Sequence, residues 1–572
     1  ARRPEAAFLP ALARDFLARV AAVPAPPGAL RRAELLYLER CLELLTDLLA
    51  QLPTRRFLRT VLEDLAVYER CRLSALYQQR RGAEGRLFAQ LLDLFQFYMG
   101  FEIDDQTGAP LQESEMAGRH HARLAVLQRL CFKYYRAQLP GVAFASTAAL
   151  GRPETLRAHV AQMAPDLALA LARRVRLLPE ASEMAEGEDP PSPALVREVL
   201  LRAYTERESQ LAQLNALPLL PNERLLWDKN LVPIGRFHGE AALALPKLNL
   251  QFLTFHDYLL RSFNLYRLES AYEVREDLND AIKRSAPRLQ SDGTTRFVGW
   301  ARMACPIRHF TIVEVTKPEL GEKVPAQVRA EVQVDVGAFQ GEARFEWDAL
   351  REHDVLFLAT VSSPMRDEES GYNAFLDDQG RGGRKQGMKR GQTKWMEEDE
   401  TFPQRYGVVY VRGGEVYEMA DAEGNLMNDP SKPEARGRAP KGTLRTVRLL
   451  MDPAQYYRDM QDGEEVYETL NLVIRRKPKE NNFKAVLATI RTLMNQAAVG
   501  QAIPPWLHDI FLGYGRPDAA HYRRLPNKVT EIDANDTFLD GRHLFEAFPG
   551  ARVRLLAEDG AEAAAGLGLG GG

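Results

Sequence analysis

Hydrophobic positions along the chain change their period close to residue 285. Before that point, apolar side chains recur every three or four residues, which is the spacing of one face of a helix. After it, short segments rich in β-branched residues alternate apolar and polar positions, as strands do. The pattern predicts a multidomain α + β chain, with helices first and strands later.

Repeated apolar stripes in the first part predict a stack of amphipathic helices. Two of the clearest stripes run from Leu35 to Leu49 and from Leu87 to Phe97, and a last helix is predicted over 194–215. Proline and glycine fall mostly between the stripes, where helices end. Helices with short joins are typical of an armadillo- or HEAT-like α-solenoid, here over residues 1–215. An irregular helical array is the alternative, because no clean repeat is present.

A linker and a long helix follow over residues 216–287. Four prolines make 216–250 look extended, and Trp227 within it is predicted to be a packing anchor. From Phe255 to Arg284 the apolar spacing predicts one helix, which we name the stalk helix and expect to connect two separately packed modules. Its last third is predicted to present a solvated face that contains Glu269, Glu273, Arg275, Glu276, Asp277, Lys283 and Arg284.

Six short segments after the stalk helix predict a small antiparallel β-barrel over residues 288–475, with a polar insert at 363–405. The segments are Phe310–Val315, Val328–Val336, Val355–Val361, Tyr406–Val411, Thr443–Leu450 and Tyr467–Ile474. Residues 476–556 predict a mixed, mainly helical segment, with helices from Asn482 and over Trp506–Leu512. Residues 557–572 are of low complexity and are predicted to be a disordered tail.

Bulk composition narrows the classes of partner. The net charge of −3 gives no global attraction to nucleic acid or to membranes, so any RNA contact must be local. The four cysteines contain no CxxC pair, which argues against a disulfide framework or a zinc site. Apolar runs such as Val355–Val361 are far shorter than the roughly 18 residues that span a bilayer. The chain begins inside helical sequence, as a fragment would.

Nucleotide hydrolysis requires a phosphate-binding loop, GxxxxGK[ST], and no stretch fits it. Gly382 and Gly387 are followed by Met388, and Gly437 and Gly442 by Thr443 without a lysine. His120 and His121 are adjacent, so on a helix they point about 100° apart and cannot share a metal. We therefore predict no catalytic residue, no metal site and no cofactor within this chain.

Two basic stretches are candidates for binding RNA phosphates. The first contains Arg475, Arg476, Lys477, Lys479 and Lys484, at a predicted strand-to-helix junction where helix amides favour anions. A merely solvated junction is the alternative. The second stretch, 381–394, contains Arg381, Arg384, Lys385, Lys389 and Arg390. Flexible Gly-Arg-Lys loops bind RNA backbone by releasing counterions, but a loop insertion neutralised by the acidic run Glu397–Glu400 is as consistent with the sequence.

Long collinear stretches of the chain resemble the Aquarius family of intron-binding spliceosomal RNA helicases. They are LALPKLNLQFLTFHDYLLRSFNLYRLES (243–270), GWARMACPI (299–307), HDVLFLATV (353–361), YGVVYVRGGEVYEM (406–419), YETLNLVIRRKPKENNFKAVLATIRTLMN (467–495), PPWLHDIFLGYGRPDAAHY (504–522) and NDTFLDGRHLFEAFPG (535–550). Weaker matches at 67–77 and 97–116 extend the resemblance through the helical part. The insert around 381–394 looks longer than the family pattern.

The resemblance implies an armadillo-like array, a stalk and a β-barrel that precede two RecA-like motor domains. ATP and magnesium would belong to the motor alone. It also implies a nuclear protein that acts in mRNA splicing, contacts the pre-mRNA intron, and associates with a tetratricopeptide-repeat splicing factor, a small intron-complex protein and a cyclophilin. The chain would then be the scaffold part of such a helicase. Two alternatives are the accessory half of an active helicase cut short by an incomplete gene, and a stand-alone protein–protein adaptor without an RNA role.

Overall fold

A computed structural model of the chain describes most of its residues. The described ranges are 2–24, 31–80, 82–105, 110–180, 190–233, 239, 242–364, 401–427, 440–463, 465–476, 483–496, 531–533 and 552–554. Helices occupy the first part and a sheet the later part, so the mixed α and β composition predicted above is confirmed. None of the described helices is long and apolar enough to cross a membrane.

The helical region, residues 2–216, contains helices of very different length. They are α1 (Arg2–Ala21), α2 (Arg32–Leu49), α3 (Leu52–Asp64), α4 (Val67–Leu73), α5 (Ala75–Gln78), α6 (Ala83–Met99), α7 (Glu113–Tyr134), α8 (Pro140–Ala143), α9 (Thr147–Leu150), α10 (Pro153–Gln162), α11 (Pro165–Arg174), α12 (Pro193–Tyr204) and α13 (Gln210–Ala216).

The single helix predicted over 194–215 is wrong, because the chain breaks between α12 and α13. Ser209 caps the second helix by accepting a hydrogen bond from the Ala212 amide at 3.1 Å. The Glu102 carboxylate accepts a hydrogen bond from the Gln210 amide at 2.6 Å, which fixes the break from outside the segment. A distant partner thus fixes the start of α13, separate from α12, which local spacing alone does not predict.

The predicted stalk helix is present as α15 (Phe255–Ser285), after a short helix α14 (Glu223–Leu226) in the linker. Thr254 caps its start by accepting from the Asp257 amide at 3.1 Å, and Ala286 ends it in a left-handed conformation. Arg275 is not part of a solvated face, contrary to prediction. It is buried and donates to the carbonyl oxygens of Val232 and Pro233 at 2.6 and 3.1 Å, so it holds the linker against the helix.

Strands follow the stalk helix and form the strand-rich domain, residues 287–476. The strands are β1 (Pro287–Leu289), β2 (Thr295–Phe297), β3 (Ala304–Thr316), β4 (Gln327–Asp335), β5 (Val355–Val361), β6 (Val408–Ala420), β7 (Leu426–Met427), β8 (Leu444–Met451) and β9 (Leu472–Arg475). Among the described residues, three helices interrupt them: α16 (Gly341–Asp348), α17 (Phe402–Tyr406) and α18 (Pro453–Asp462). The six predicted strand segments are confirmed as strands, Val355–Val361 with its predicted ends and the other five with shifted ends.

Strand pairing in this domain runs in a ring. The order is β5–β9–β3–β4–β8–β6, every pair is antiparallel, and β6 pairs with β5 as well. The predicted segment Tyr467–Ile474 begins too early, because Val466–Glu468 forms a 3-10 turn and the strand starts at Leu472. The sequence pattern also did not predict α16, which lies between β4 and β5 along the chain, or α18, which lies between β8 and β9.

Strand β5 shows how the ring packs against the stalk helix and the helical region. All seven of its residues are buried. Leu356 and Leu358 belong to the core within the ring, whereas Phe357 and Ala359 belong to a cluster that continues through the stalk helix into the helical region. A strand with both faces buried reads as a continuous apolar run, as VLFLATV does. The expectation of separately packed modules joined by an isolated helix is therefore wrong.

A second helix runs back along the stalk helix. It is α19 (Phe483–Asn495), predicted from Asn482, and it packs against α15. At its start, the Phe483 ring lies 5.9 Å from the guanidinium of Arg476, which contacts Asp277 in the last third of α15. In its last turns, the guanidinium of Arg491 lies 5.9 Å from the ring of Phe263, in the first third of α15. The two helices are therefore antiparallel. Beyond them the structure describes the parallel pair β10 (Glu531–Asp533) and β11 (Arg552–Arg554), whereas the predicted helix at 506–512 and the 557–572 tail lie outside the described residues.

Candidate functional site

The junction where the stalk helix meets the strand-rich domain contains part of the first predicted RNA stretch. Gly299 crosses the end of α15, and its amide donates to the Ser285 carbonyl at 3.1 Å. A Cβ at this position would lie 2.1 Å from the Arg284 carbonyl oxygen, so only glycine fits. This close approach places the following residue, Trp300, beside the end of the helix.

Arg475, at the end of β9, is almost completely buried. Its Nη1 donates to the Glu346 carbonyl oxygen at 2.7 Å, and its Nη2 forms an ion pair with the Glu346 carboxylate. The guanidinium also lies 5.9 Å from the centre of the Trp347 ring. Burial lowers the pKa of Arg475. The side chain thus ties β9 to α16 and faces the interior.

Glu346 is shared with a second arginine. Arg302 donates to both of its carboxylate oxygens, at 2.9 and 2.8 Å, and also reaches Glu342 at 3.3 Å. The hydrogen bonds from Arg302 hold the pKa of Glu346 below its usual range, with Arg475 acting in the same direction. One carboxylate therefore serves two guanidinium groups at this junction.

Arg476 faces the stalk helix and is also buried. Its Nε donates to the Asp277 carboxylate at 2.6 Å, and its Nη2 lies 3.7 Å from the Glu273 carboxylate. These contacts fasten the end of β9 to α15. Neither Arg475 nor Arg476 can bind a phosphate in this arrangement without breaking an ion pair. Their contact with RNA therefore stays a prediction, and these ion pairs argue against it.

The other predicted basic residues divide into two groups. Lys484 on α19 forms an ion pair with Glu415 of β6, so it too has a structural partner. The remaining predicted residues lie outside the described residues, and these are Lys477, Lys479, Arg381, Arg384, Lys385, Lys389 and Arg390.

An open cleft of about 830 Å³ lies at the same junction, and the sequence pattern did not reveal it. The end of α15, residues 300–303 and the α16 segment with its following loop form its walls. Two large aromatic side chains on this cleft are exposed, Trp300 by 56% and Phe345 by 73%. The GWARM stretch carried a signal, because it places a tryptophan and an arginine directly before a strand, but spacing does not say that the indole is exposed.

The described tryptophan of the linker, the cysteines and the possible metal ligands do not form a second candidate site. Trp227 stacks on Phe402 with 6.1 Å between ring centres and donates to Asn279 at 3.2 Å, so its predicted packing role is confirmed. All four cysteines are buried, and burial raises the pKa of Cys41 to about 11. Within the described ranges, no three His, Cys, Asp or Glu side chains converge as metal ligands would.

Comparison with known proteins gives one consistent result. The family model "Intron-binding protein aquarius N-terminal" matches residues 1–208, and "Intron-binding protein aquarius, beta-barrel" matches residues 286–476. The mouse protein "RNA helicase aquarius" is 42% identical to the chain over 562 residues. That alignment covers 97% of this chain but 35% of the mouse protein, so the chain spans about a third of its relative's length.

Proposed function

Because the chain belongs to the aquarius family, whose N-terminal and beta-barrel domains it matches, we propose that it is the scaffold portion of an Aquarius-like splicing helicase. In this proposal the chain binds spliceosomal proteins and intron RNA in the nucleus. The observation that carries it is 42% identity along 97% of the chain, which is far more than a shared fold requires.

The proposed architecture is an armadillo-like array joined by the stalk helix to a small barrel. The ring of strand pairing supports the barrel, and the row of short helices supports the array. Because β5 and β9 lie in one apolar cluster with the stalk helix, the two parts would hold a fixed relative position, as a scaffold requires. ATP and magnesium are assigned to a motor outside this chain, since no phosphate-binding loop is present in its sequence.

An exposed aromatic patch on the helical region supports a role in binding protein partners. Phe132 and Phe144 pack edge to face with 5.7 Å between ring centres and are 47% and 65% exposed. Arg136 lies over the Phe132 ring at 5.6 Å, and Arg174 lies over the exposed Tyr134 ring at 4.2 Å. Aromatic and arginine side chains are enriched at the centres of protein interfaces, so this patch is the surface we assign to spliceosomal proteins.

Affinity purification tests the proposal. The tagged 572-residue chain is mixed with nuclear extract with and without RNase, and bound proteins and RNA are identified by mass spectrometry and sequencing. We expect a tetratricopeptide-repeat splicing factor to be retained after RNase and intron RNA to be bound without it. The Phe132→Ala/Phe144→Ala variant should lose the protein and keep the RNA. Wild-type chain that enriches neither splicing proteins nor introns would overturn the proposal.

A further inference from the structure

The cleft at the junction has the size of a ligand site. Its volume of about 830 Å³ falls within the range of about 300–1,000 Å³ that ligand pockets occupy. It is open to solvent at the side where Trp300 and Phe345 are exposed, so a ligand could enter without any movement of the domain. Its walls come from the stalk helix and from the strand-rich domain, which are linked by the ion pair of the buried Arg476 with the partly exposed Asp277.

Aromatic surface is the first feature of the cleft that points to a class of ligand. The Trp300 ring centre lies 6.2 Å from that of Phe339, which in turn stacks on the buried Trp347 at 5.5 Å. This chain of rings fixes the indole from behind and leaves more than half of it in solvent. A fixed and exposed indole, on the same cleft as the exposed Phe345, is a platform on which a nucleobase can stack.

Charge is the second feature. Five arginines line the cleft against three carboxylates, Asp280, Glu346 and Asp354. Arg284 is paired with Asp280, and Arg302 shares Glu346 with Arg475, whereas Arg351 is exposed at the mouth. Asp277, Glu273 and Glu342 also pair with these arginines, so the cleft has no excess of positive charge, and the exposed Arg351 is the guanidinium that an anionic group can reach.

A buried donor without an acceptor gives an independent indication. Among the described residues, Nε of Arg475 has no hydrogen-bond partner, although the side chain is 4% exposed and lines the cleft. Buried donors are nearly always satisfied by protein, water or ligand. Water or a ligand oxygen in the cleft can satisfy this donor, while both terminal nitrogens of Arg475 stay paired with Glu346.

We propose that the cleft holds one nucleotide of single-stranded RNA, with its base stacked on Trp300 and Phe345 and its phosphate close to Arg302 and Arg351. The assignment rests on the proposed function, in which the chain contacts intron RNA, and it names one place of contact. Stacking faces together with guanidinium groups suit RNA better than an acidic peptide, because each base brings a flat apolar face and each linkage brings one phosphate. Recognition by stacking and charge is tolerant of sequence.

Substitutions separate the contribution of aromatic stacking from the contribution of charge. We expect Trp300→Ala and Phe345→Ala, made in the 572-residue chain, to weaken binding of a fluorescein-labelled 12-nucleotide oligouridine about tenfold each. Their salt dependence should stay as in wild type, since neither side chain is charged. Arg351→Ala should weaken binding and lower the slope of log affinity against log salt by about 0.7, the value for one phosphate of a single strand.

Matched controls use the helical region. Phe8→Ala removes an aromatic ring on α1 that is 64% exposed, and Arg157→Ala removes an exposed arginine on α10. Both should bind the oligonucleotide as wild type does. Ultraviolet crosslinking followed by mass spectrometry should place the crosslinked nucleotide on the peptide that contains Trp300. Circular dichroism and thermal melting check that each variant is folded.

The outcomes distinguish this inference from the function on which it rests. If wild type binds RNA and the three cleft variants bind it equally well, the cleft assignment is wrong while the proposed function stands. If Trp300→Ala abolishes capture of a splicing protein but leaves RNA affinity unchanged, the cleft binds a peptide and the assignment is again wrong. Wild-type chain without affinity for single-stranded RNA would overturn both the cleft assignment and the RNA part of the proposed function.

Discussion

Arg261 forms a buried two-point ion pair with Asp257, one helical turn earlier on the stalk helix. Its Nε lies 3.0 Å from one carboxylate oxygen and its Nη2 lies 2.6 Å from the other, and both side chains are at most 1% exposed. The same Nη2 also donates to the Ala50 carbonyl at 3.1 Å, at the end of α2. The pair therefore fastens the start of the stalk helix to the helical region.

Replacement of Asp257 by Ala should be strongly destabilising, because it leaves the Arg261 guanidinium buried without its counter-charge. We expect a loss of about 3–5 kcal/mol in the free energy of unfolding. Chemical denaturation followed by circular dichroism measures it. Asp280 and Arg284 provide a control with the same spacing on the same helix, where both side chains are more than half exposed. Asp280→Ala should change stability by less than about 1 kcal/mol, and equal losses at both sites would contradict the argument.

Arg476→Ala tests whether the first basic stretch is structural or binds RNA. Arg476 is buried, but Asp277 is about one-third exposed and is left within reach of water, so we expect the variant to lose about 1–3 kcal/mol of stability from the lost hydrogen bonds and packing. The salt slope of RNA binding, measured on folded protein at low temperature, should not change. A variant that keeps its melting temperature but loses affinity and about 0.7 of the salt slope would show instead that Arg476 contacts a phosphate.

Glu39 gives a prediction about pH. It is buried on α2, and burial raises its pKa to about 7. Between the ordinary glutamate pKa of about 4.3 and this value, the folded chain binds more protons than the unfolded chain, so this group lowers stability as pH rises. Glu39→Gln should therefore match wild type below pH 4 and exceed it by about 3 kcal/mol at pH 8.

Denaturation of both proteins at pH 4 and pH 8 provides the comparison. Glu34 is exposed at the start of the same helix, so Glu34→Gln should differ little from wild type at either pH. A Glu39→Gln variant whose advantage is the same at both pH values would contradict the assigned cause.

Two glycines should respond in opposite directions to substitution by alanine. At Gly299 the added Cβ would lie 2.1 Å from the Arg284 carbonyl oxygen, so the junction must shift, at a cost of about 1–3 kcal/mol. At Gly118, inside α7, nothing lies within 4 Å of the added atom, and alanine should stabilise the helix by up to about 1 kcal/mol. Thermal melting of the two variants measures both effects, and a loss at Gly118 as large as that at Gly299 would contradict the reason given.

Local patterns predicted those elements whose determinants lie close together in sequence. The stalk helix could be predicted because Thr254, the cap, and the apolar stripe that begins at Phe255 are adjacent. The strands could be predicted because alternation is a local property, and β4 shows it as strictly alternating buried and half-buried residues. The ring order could not be predicted, since it depends on which strands meet across long separations.

The candidate site also could not be predicted from local pattern, because its contacts join residues far apart in the sequence. The run Arg475–Arg476 looked like a phosphate-binding stretch because its acidic partners are 129 residues away at Glu346 and 199 residues away at Asp277. Sequence alone gives the charges of a basic run but not the carboxylates that the fold brings to it. The reverse holds for Trp300, whose burial the sequence pattern does not predict, and whose ring the fold leaves more than half exposed.

The antiparallel arrangement of α15 and α19 has a consequence for how such a chain can be rebuilt. The polypeptide departs into its strand-rich unit and comes back at one end of a helical hairpin, so that unit is topologically an insertion. A connection from Ser285 to Phe483 would bypass it while the two helices keep their chain order. Deletion of this unit, or its exchange between homologues, is therefore permitted by the topology, provided that the apolar helix surface now covered by β5 and β9 receives another cover.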